Sequence, residues 1–244
     1  MAGNRKPAVI RAALLGLGLV LGLAACGPGA AGPPGPGTPA AGVTPGQQPP
    51  SPPLPASSTP APAQPVPAPP APPVLSGEAQ AALDRRLVQA AKANDAGQVA
   101  ELIRAGGNVN AKDSLQDSAF LYAGAEGFNE VLRLTLGNGA DVSSTNRYGG
   151  TALIPASEHG HVETVRILIQ AGVPVNHVNK LGWTALQEAI LLNNGGPRQQ
   201  DVVRQLLAAG ADPAIPDPQG RTALENAQRL GFTEIAAILR AGPV

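Results

Sequence analysis

The chain has 244 residues, with 17 basic and 17 acidic side chains and a formal net charge of zero. Without a basic excess or stripe it does not read as a nucleic-acid binder. A single cysteine excludes a disulfide within the chain, so stability must come from packing. The length allows one or two domains, and the composition makes them unequal.

Met1 to Ala25 reads as an export signal. Arg5, Lys6 and Arg11 form a positive start, and Ala12 to Ala25 is an apolar run without charge. That run is too short to span a bilayer comfortably as a helix. It ends in Leu23, Ala24, Ala25, Cys26 and Gly27, which resembles a bacterial lipobox. The resemblance implies removal of residues 1–25, a diacylglyceryl group on Cys26 and acylation of the new amino terminus. It therefore implies a chain lipid-anchored in the cell envelope and exposed outside the cytoplasm. Two or more acyl chains hold a protein on a membrane stably, whereas one does not. The plainer alternative is an ordinary signal followed by a stray cysteine. Loss of Arg5, Lys6 and Arg11 would leave three more acidic than basic side chains.

Residues 26–77 form the next segment. Gly27 to Leu75 holds 19 of the chain's 27 prolines and no charged residue. Proline lacks the N–H that a helix or a central strand needs, so this segment is expected to be a disordered tether. In extended polyproline geometry, at about 3.1 Å per residue, its reach is at most on the order of 150 Å. It is either a spacer that lifts the rest of the chain off a surface or a tolerated low-complexity insert.

From residue 78 the chain repeats. Ser76 is a candidate N-cap for a first helix. In residues 78–112, Leu83, Leu87, Ala90 and Ala91 have helical spacing, followed by Val99, Leu102 and Ile103 on a second helix. Asp84, Arg85, Arg86 and Lys92 make this unit polar enough for an end cap. Four later units open at Asp113, Asn146, Asn179 and Asp217, at spacings of 33, 33 and 38 residues. A hydroxyl column, Ser118, Thr151, Thr184 and Thr222, keeps the same spacings. So does the glycine column Gly106, Gly139, Gly172 and Gly210, expected to end each second helix in a left-handed conformation. A fixed period in this range means stacked supersecondary units.

The strings NRYGGTAL, NKLGWTAL and DPQGRTAL resemble the ankyrin repeat, and QDSAFLYAGAEG resembles exported bacterial members. The resemblance covers residues 78 to about 242. It implies an all-α solenoid of about five stacked helix-turn-helix units with hairpin loops, at 78–112, 113–145, 146–178, 179–216 and 217–244. Two family positions differ. Ala152, Ala185 and Ala223 replace the family's proline, and Leu121, Ile154, Gln187 and Glu225 replace its histidine. The usual Thr–His hydrogen bonds between repeats are therefore not expected.

Phe120, Leu153, Leu186 and Leu224 form the apolar column of the first helices. Leu132, Val165, Val203 and Ile235 form that of the second, which makes the last unit one residue short near Phe232. Small Ala123, Ala156, Ala189 and Ala227 would let neighbouring helices approach. Thr135 stands where other units have Leu102, Leu168 or Leu206, marking its unit as the softest. Pro155 falls in a first helical turn, where proline is tolerated. The five extra residues lie within Asn194 to Gln200, as a functional rim loop or a neutral insertion.

No catalytic or cofactor site is expected. His159 and His161, two apart, are poorly placed for joint metal ligation, and no cysteine accompanies them. Ser157 beside them gives no triad. Gly149 and Gly150 form a turn, because no G-K-S/T follows. The resemblance implies a monomer binding a protein partner, of the envelope or secreted, through hairpin tips and first helices. Carried over position by position, the binding residues are Arg147, Tyr148, Glu158, His159, Lys180, Leu181, Trp183, Leu191 and Arg221. Ser114, Leu115, Asp117, Ala125 and Glu126 fall in the same columns of the preceding unit. Tyr148 and Trp183 stand on neighbouring tips, flanked by Arg147, Lys180 and Arg221, and such side chains supply most interface hot spots. Trp183 could instead pack on the adjacent hairpin and stabilise it. The alternative function is a sensor that binds a small ligand or wall fragment at Tyr148, Trp183 and the inserted loop.

Overall fold

The computed structural model describes residues 76–243. The signal, Cys26 and the proline-rich segment lie outside them. Ten helices follow in order: α1 Gly77–Lys92, α2 Ala96–Arg104, α3 Ala119–Glu126, α4 Asn129–Gly137, α5 Leu153–Glu158, α6 Val162–Gln170, α7 Ala185–Leu191, α8 Pro197–Ala208, α9 Ala223–Leu230 and α10 Thr233–Ala241. The described residues contain no strand. Each odd helix packs on the next odd helix and each even helix on the next even one, giving two layers. Within a unit the two helices pack on each other.

The hydroxyl column starts the first helices. The Ser118 oxygen accepts from the Leu121 amide at 3.2 Å, Thr184 from Gln187 at 3.2 Å and Thr222 from Glu225 at 3.3 Å. Ser76 caps α1 in the same way through Ala79. Thr151 is the exception: its Oγ1 is buried and finds no partner. The glycine column closes the second helices at positive φ, from 82° to 95°.

Stacking makes the core. Leu87, Phe120, Leu153 and Leu186 are buried at successive interfaces, as are Leu132, Val165 and Val203 in the second layer. Each such side chain contributes about 1.5–3 kcal/mol, against about 0.5–1.5 kcal/mol for a hydrogen bond, so the interfaces decide stability. Leu224 is only partly buried, since its unit closes the stack. Thr135, in a leucine column, is fully buried and donates its hydroxyl to the Leu132 carbonyl at 2.9 Å.

One sequence expectation changes. The last unit is not one residue short. Gly231, with φ of 75°, aligns with Gly127 and Gly160, and Phe232 precedes α10 as Phe128 precedes α4. Ala236 then takes the column of Leu132 and Val165, and Ile235 that of Val131; both are buried. The pairing of Ile235 with Leu132 followed hydrophobicity where the glycine sets the register. The inserted residues, open as a functional rim loop or a neutral insertion, divide between helix and connecting turn. α8 has 12 residues against 9 in α6, so part of the insertion is helix, started by Pro197 in its first turn. The rest is held by Gln200, which donates to the Gly195 carbonyl at 3.0 Å, and by its flanks. Asn193 donates to the carbonyls of Glu188 and Ala189, and Gln199 donates to Asn193.

Candidate protein-interaction face

The tips between units are built by their opening residues. In each of the four, the opening N–H donates to the carbonyl four residues on: Asp113 to Asp117, Asn146 to Gly150, Asn179 to Trp183 and Asp217 to Arg221. The opening side-chain oxygen accepts the amides two and four residues on, as Asn146 does from Tyr148 and Gly150. Asp113, Asn179 and Asp217 repeat the pattern. A short Asp or Asn is what an Asx turn needs, which explains that column. Adjacent tips are tied as well: the Lys180 amide donates to the Tyr148 carbonyl at 2.9 Å.

With the backbone satisfied internally, the residues one and two after the opening are left to face outward. Leu115 is 52% exposed and Leu181 45%. Tyr148, half-buried between them in sequence register, completes one apolar row across three consecutive tips. Val178, 45% exposed, adjoins the third. Arg147 is exposed, lies 4.7 Å from the Tyr148 ring centre and reaches Asp117 at 3.8 Å. The Lys180 ammonium meets the Arg147 carbonyl at 3.3 Å. Arg221 is held inward by Asp217 at 3.1 Å and by Gln219 at 2.9 Å.

Trp183 is 9% exposed and its Nε1 is enclosed without an acceptor. Most of its surface is therefore committed to this chain's own packing. The exposed apolar group of that tip is Leu181. Leu115, which sequence reasoning placed only among the equivalent columns, is the most exposed large apolar residue of the row. On the first helices His159 is exposed, with its Nδ1 2.9 Å from the Ala125 carbonyl and its ring edge-on to His161 at 5.4 Å. Leu191 is half-buried, and so is Glu158, whose Oε2 is shielded without a partner.

Charges along the face are treated differently from unit to unit. Lys92 bonds Asp113 at 2.6 Å and Asp117 at 3.1 Å and lies 5.1 Å from the Tyr122 ring centre. Burial pushes the Asp113 carboxyl up, but Lys92 and the amides of Asp117 and Leu115 outweigh it and hold it below its ordinary value. Asp217 is held low likewise, burial being outweighed by Asn226 and Arg221. Glu188 goes the other way: burial and then the nearby Glu158 charge, opposed by Asn179, push it up to about 8. Burial also raises Glu158, against His159. Sequence reasoning missed Glu188. The one signal was its column, where Tyr122, Pro155 and Asn226 carry no charge.

Among the described residues no three His, Cys, Asp or Glu side chains come together to hold a metal. Two open surface depressions lie away from the tips. One is lined by Glu130, Arg133, Leu134, Gly137 and Asn138, and the other lies beside Asn129, His161 and Arg198.

A family profile described as Ankyrin repeats (3 copies) matches residues 87–178 and 120–217. The chain belongs to the ankyrin-repeat family. It is 41% identical over 142 residues to the Escherichia coli (strain K12) ankyrin repeat protein YahD, covering 58% of this chain and 71% of that protein. It is also similar to the crystal structure of an ankyrin repeat domain from Acinetobacter baumannii AYE, with 57% identity and a TM-score of 0.63 over 64% of this chain and 79% of that one. The crystal structure of the ankyrin repeat protein EF0377 gives 42% identity and a TM-score of 0.61, over 63% of this chain and 78% of that one.

Proposed function

We propose that this chain, which carries an ankyrin-repeat domain, acts as a protein-binding scaffold. In this reading it binds an envelope or secreted protein through the tips opening at Asp113, Asn146 and Asn179 and the adjoining first helices. The observation that supports this reading is the row Leu115–Tyr148–Leu181: apolar side chains at one position of three consecutive tips, with cations beside them. An exposed apolar patch rimmed by polar groups marks an interaction site. Arg147, Lys180, His159 and Glu158 would form the polar rim, and Leu191 would add apolar contact on the first-helix side. Cys26 would carry the lipid that holds the scaffold outside the cytoplasm, with Gly27 to Leu75 as the spacer.

In-cell crosslinking followed by affinity purification and mass spectrometry tests the face. Wild type is compared with Leu115→Asp/Leu181→Asp, two exposed positions whose change leaves the core intact. A partner captured by wild type and lost with the double variant supports the reading. The same partners with both would place binding elsewhere. The anchor is tested separately by labelling with an alkynyl fatty acid, which Cys26→Ser should abolish.

A further inference from the structure

We infer that the buried Glu188 carboxyl latches the tip at residues 179–183 to α7, and that ionisation of this group, opposed by its burial and by the facing Glu158, draws it toward water and loosens the tip carrying Leu181 and Trp183. Glu188 is 3% exposed, and its Oε1 accepts from the Asn179 Nδ2 at 2.8 Å. The other atom of that amide, Oδ1, accepts the Leu181 amide at 2.9 Å and the Trp183 amide at 3.0 Å. One side chain thus joins the buried carboxyl to the backbone of the tip.

The next unit has the same bridge with acid and amide exchanged: Asn226 Nδ2 donates to Asp217 Oδ2 at 2.9 Å. There Arg221 neutralises the acid, and at Asp113 Lys92 does so. Among the described residues no cation pairs with Glu188. The groups around it explain why ionisation is costly there. From α5 it faces Glu158, a like charge, beyond which lies exposed His159 bonded to Ala125. On the α9 side the Asp217–Arg221 pair is closed on itself, Glu225 bonds Thr222 and Arg229 bonds Asn226. On α8, Asp201 and Arg204 pair with each other and Arg198 is exposed beside His161. A buried carboxylate with one amide donor and a facing carboxylate meets both desolvation and repulsion.

The sign follows. The folded chain holds the Glu188 proton more tightly than the unfolded chain does. The Asn179 bond alone favours the ionised form, but burial and Glu158 outweigh it, so the stability contributed by the buried acid is complete below the ordinary carboxylate value and is lost as pH rises through about 8. An effect on partner binding rests on the proposed role of this face; the latch itself does not, and it is measured without a partner.

Trp183 is the only tryptophan, so selectively excited tryptophan emission of the full chain reports on this tip. Wild type should show a transition centred near pH 8 with unchanged far-UV circular dichroism. Glu188→Gln, whose amide oxygen still accepts from Asn179, should be flat. Glu158→Gln, which removes the facing charge, should move the midpoint to lower pH. No transition in wild type between about pH 6 and about pH 9.5, or the same transition in Glu188→Gln, would overturn the inference. So would helix loss coinciding with the emission change, since the whole stack would then be unfolding.

Discussion

Pro155 leaves Thr151 without its capping bond. In the neighbouring units the first-helix residue four after the hydroxyl donates its amide to the hydroxyl residue's carbonyl, as Glu188 does to Thr184. Proline has no such amide. The Ile154 amide turns instead to the Thr151 carbonyl at 3.2 Å, and the Thr151 hydroxyl is left buried and unpaired. Equal-looking threonines therefore contribute unequally. Thr184→Val should destabilise by about 1 kcal/mol through loss of a cap. Thr151→Val keeps the shape and removes an unsatisfied oxygen, so it should be neutral or stabilising. Urea midpoints of the two variants decide the matter, and an equal loss in both would contradict it.

Gly124 on α3 lies close against the start of α5. A Cβ there would lie 2.7 Å from the Ala152 Cβ, closer than side chains pack. Alanine gains about 1 kcal/mol over glycine in helix propensity, whereas overpacking costs about 1–3 kcal/mol. We expect Gly124→Ala to be net destabilising by thermal melting. Gly137 meets nothing within 4 Å at the same test, so Gly137→Ala should be tolerated or stabilising.

The Asn179 side chain makes three hydrogen bonds, two to its tip and one to Glu188, where the Asn146 side chain makes the two to its tip. At about 0.5–1.5 kcal/mol each, Asn179→Ala should cost about 2–4 kcal/mol and exceed the cost of Asn146→Ala. Chemical denaturation of the two alanine variants measures the difference.

Acid should act through Asp113. Its carboxyl is held below the ordinary value, so its contribution is fully present above that value and disappears as pH falls through the folded one. Asp113→Asn keeps an oxygen for the Leu115 and Asp117 amides but loses the charge facing Lys92. Its urea midpoint should be lower at neutral pH and fall less steeply with acid than that of wild type. The Glu188 effect has the opposite sign and a higher pH window, so the two do not overlap.

Most of the architecture was legible because each column answers one local need: a hydroxyl to cap, an Asx oxygen to close a tip, a glycine at positive φ to end a helix. Those needs act within a few residues and leave marks in any single unit. What the columns do not carry is the meeting of two units. Trp183 is aromatic and stands at a binding position, yet the folded chain leaves it only 9% exposed. Glu188 looks like any surface helix residue until α5 and the Asn179 amide enclose it. Hydrophobicity alone misaligned Ile235, because Ile235 and Ala236 are both buried and only Gly231 fixes the frame. The inserted residues likewise gave no sign that Pro197 would start a longer α8.

The way each tip is closed has a consequence for how the domain can change. The backbone there is held by the opening side chain, and the two residues after it contribute no side chain to that closure. The pairs Ser114–Leu115, Arg147–Tyr148 and Lys180–Leu181 can therefore change without undoing the turns that carry them, while Arg147 and Lys180 also reach the neighbouring tip. A lineage, or a designer, can rewrite what the surface recognises one dipeptide at a time without renegotiating the fold beneath it.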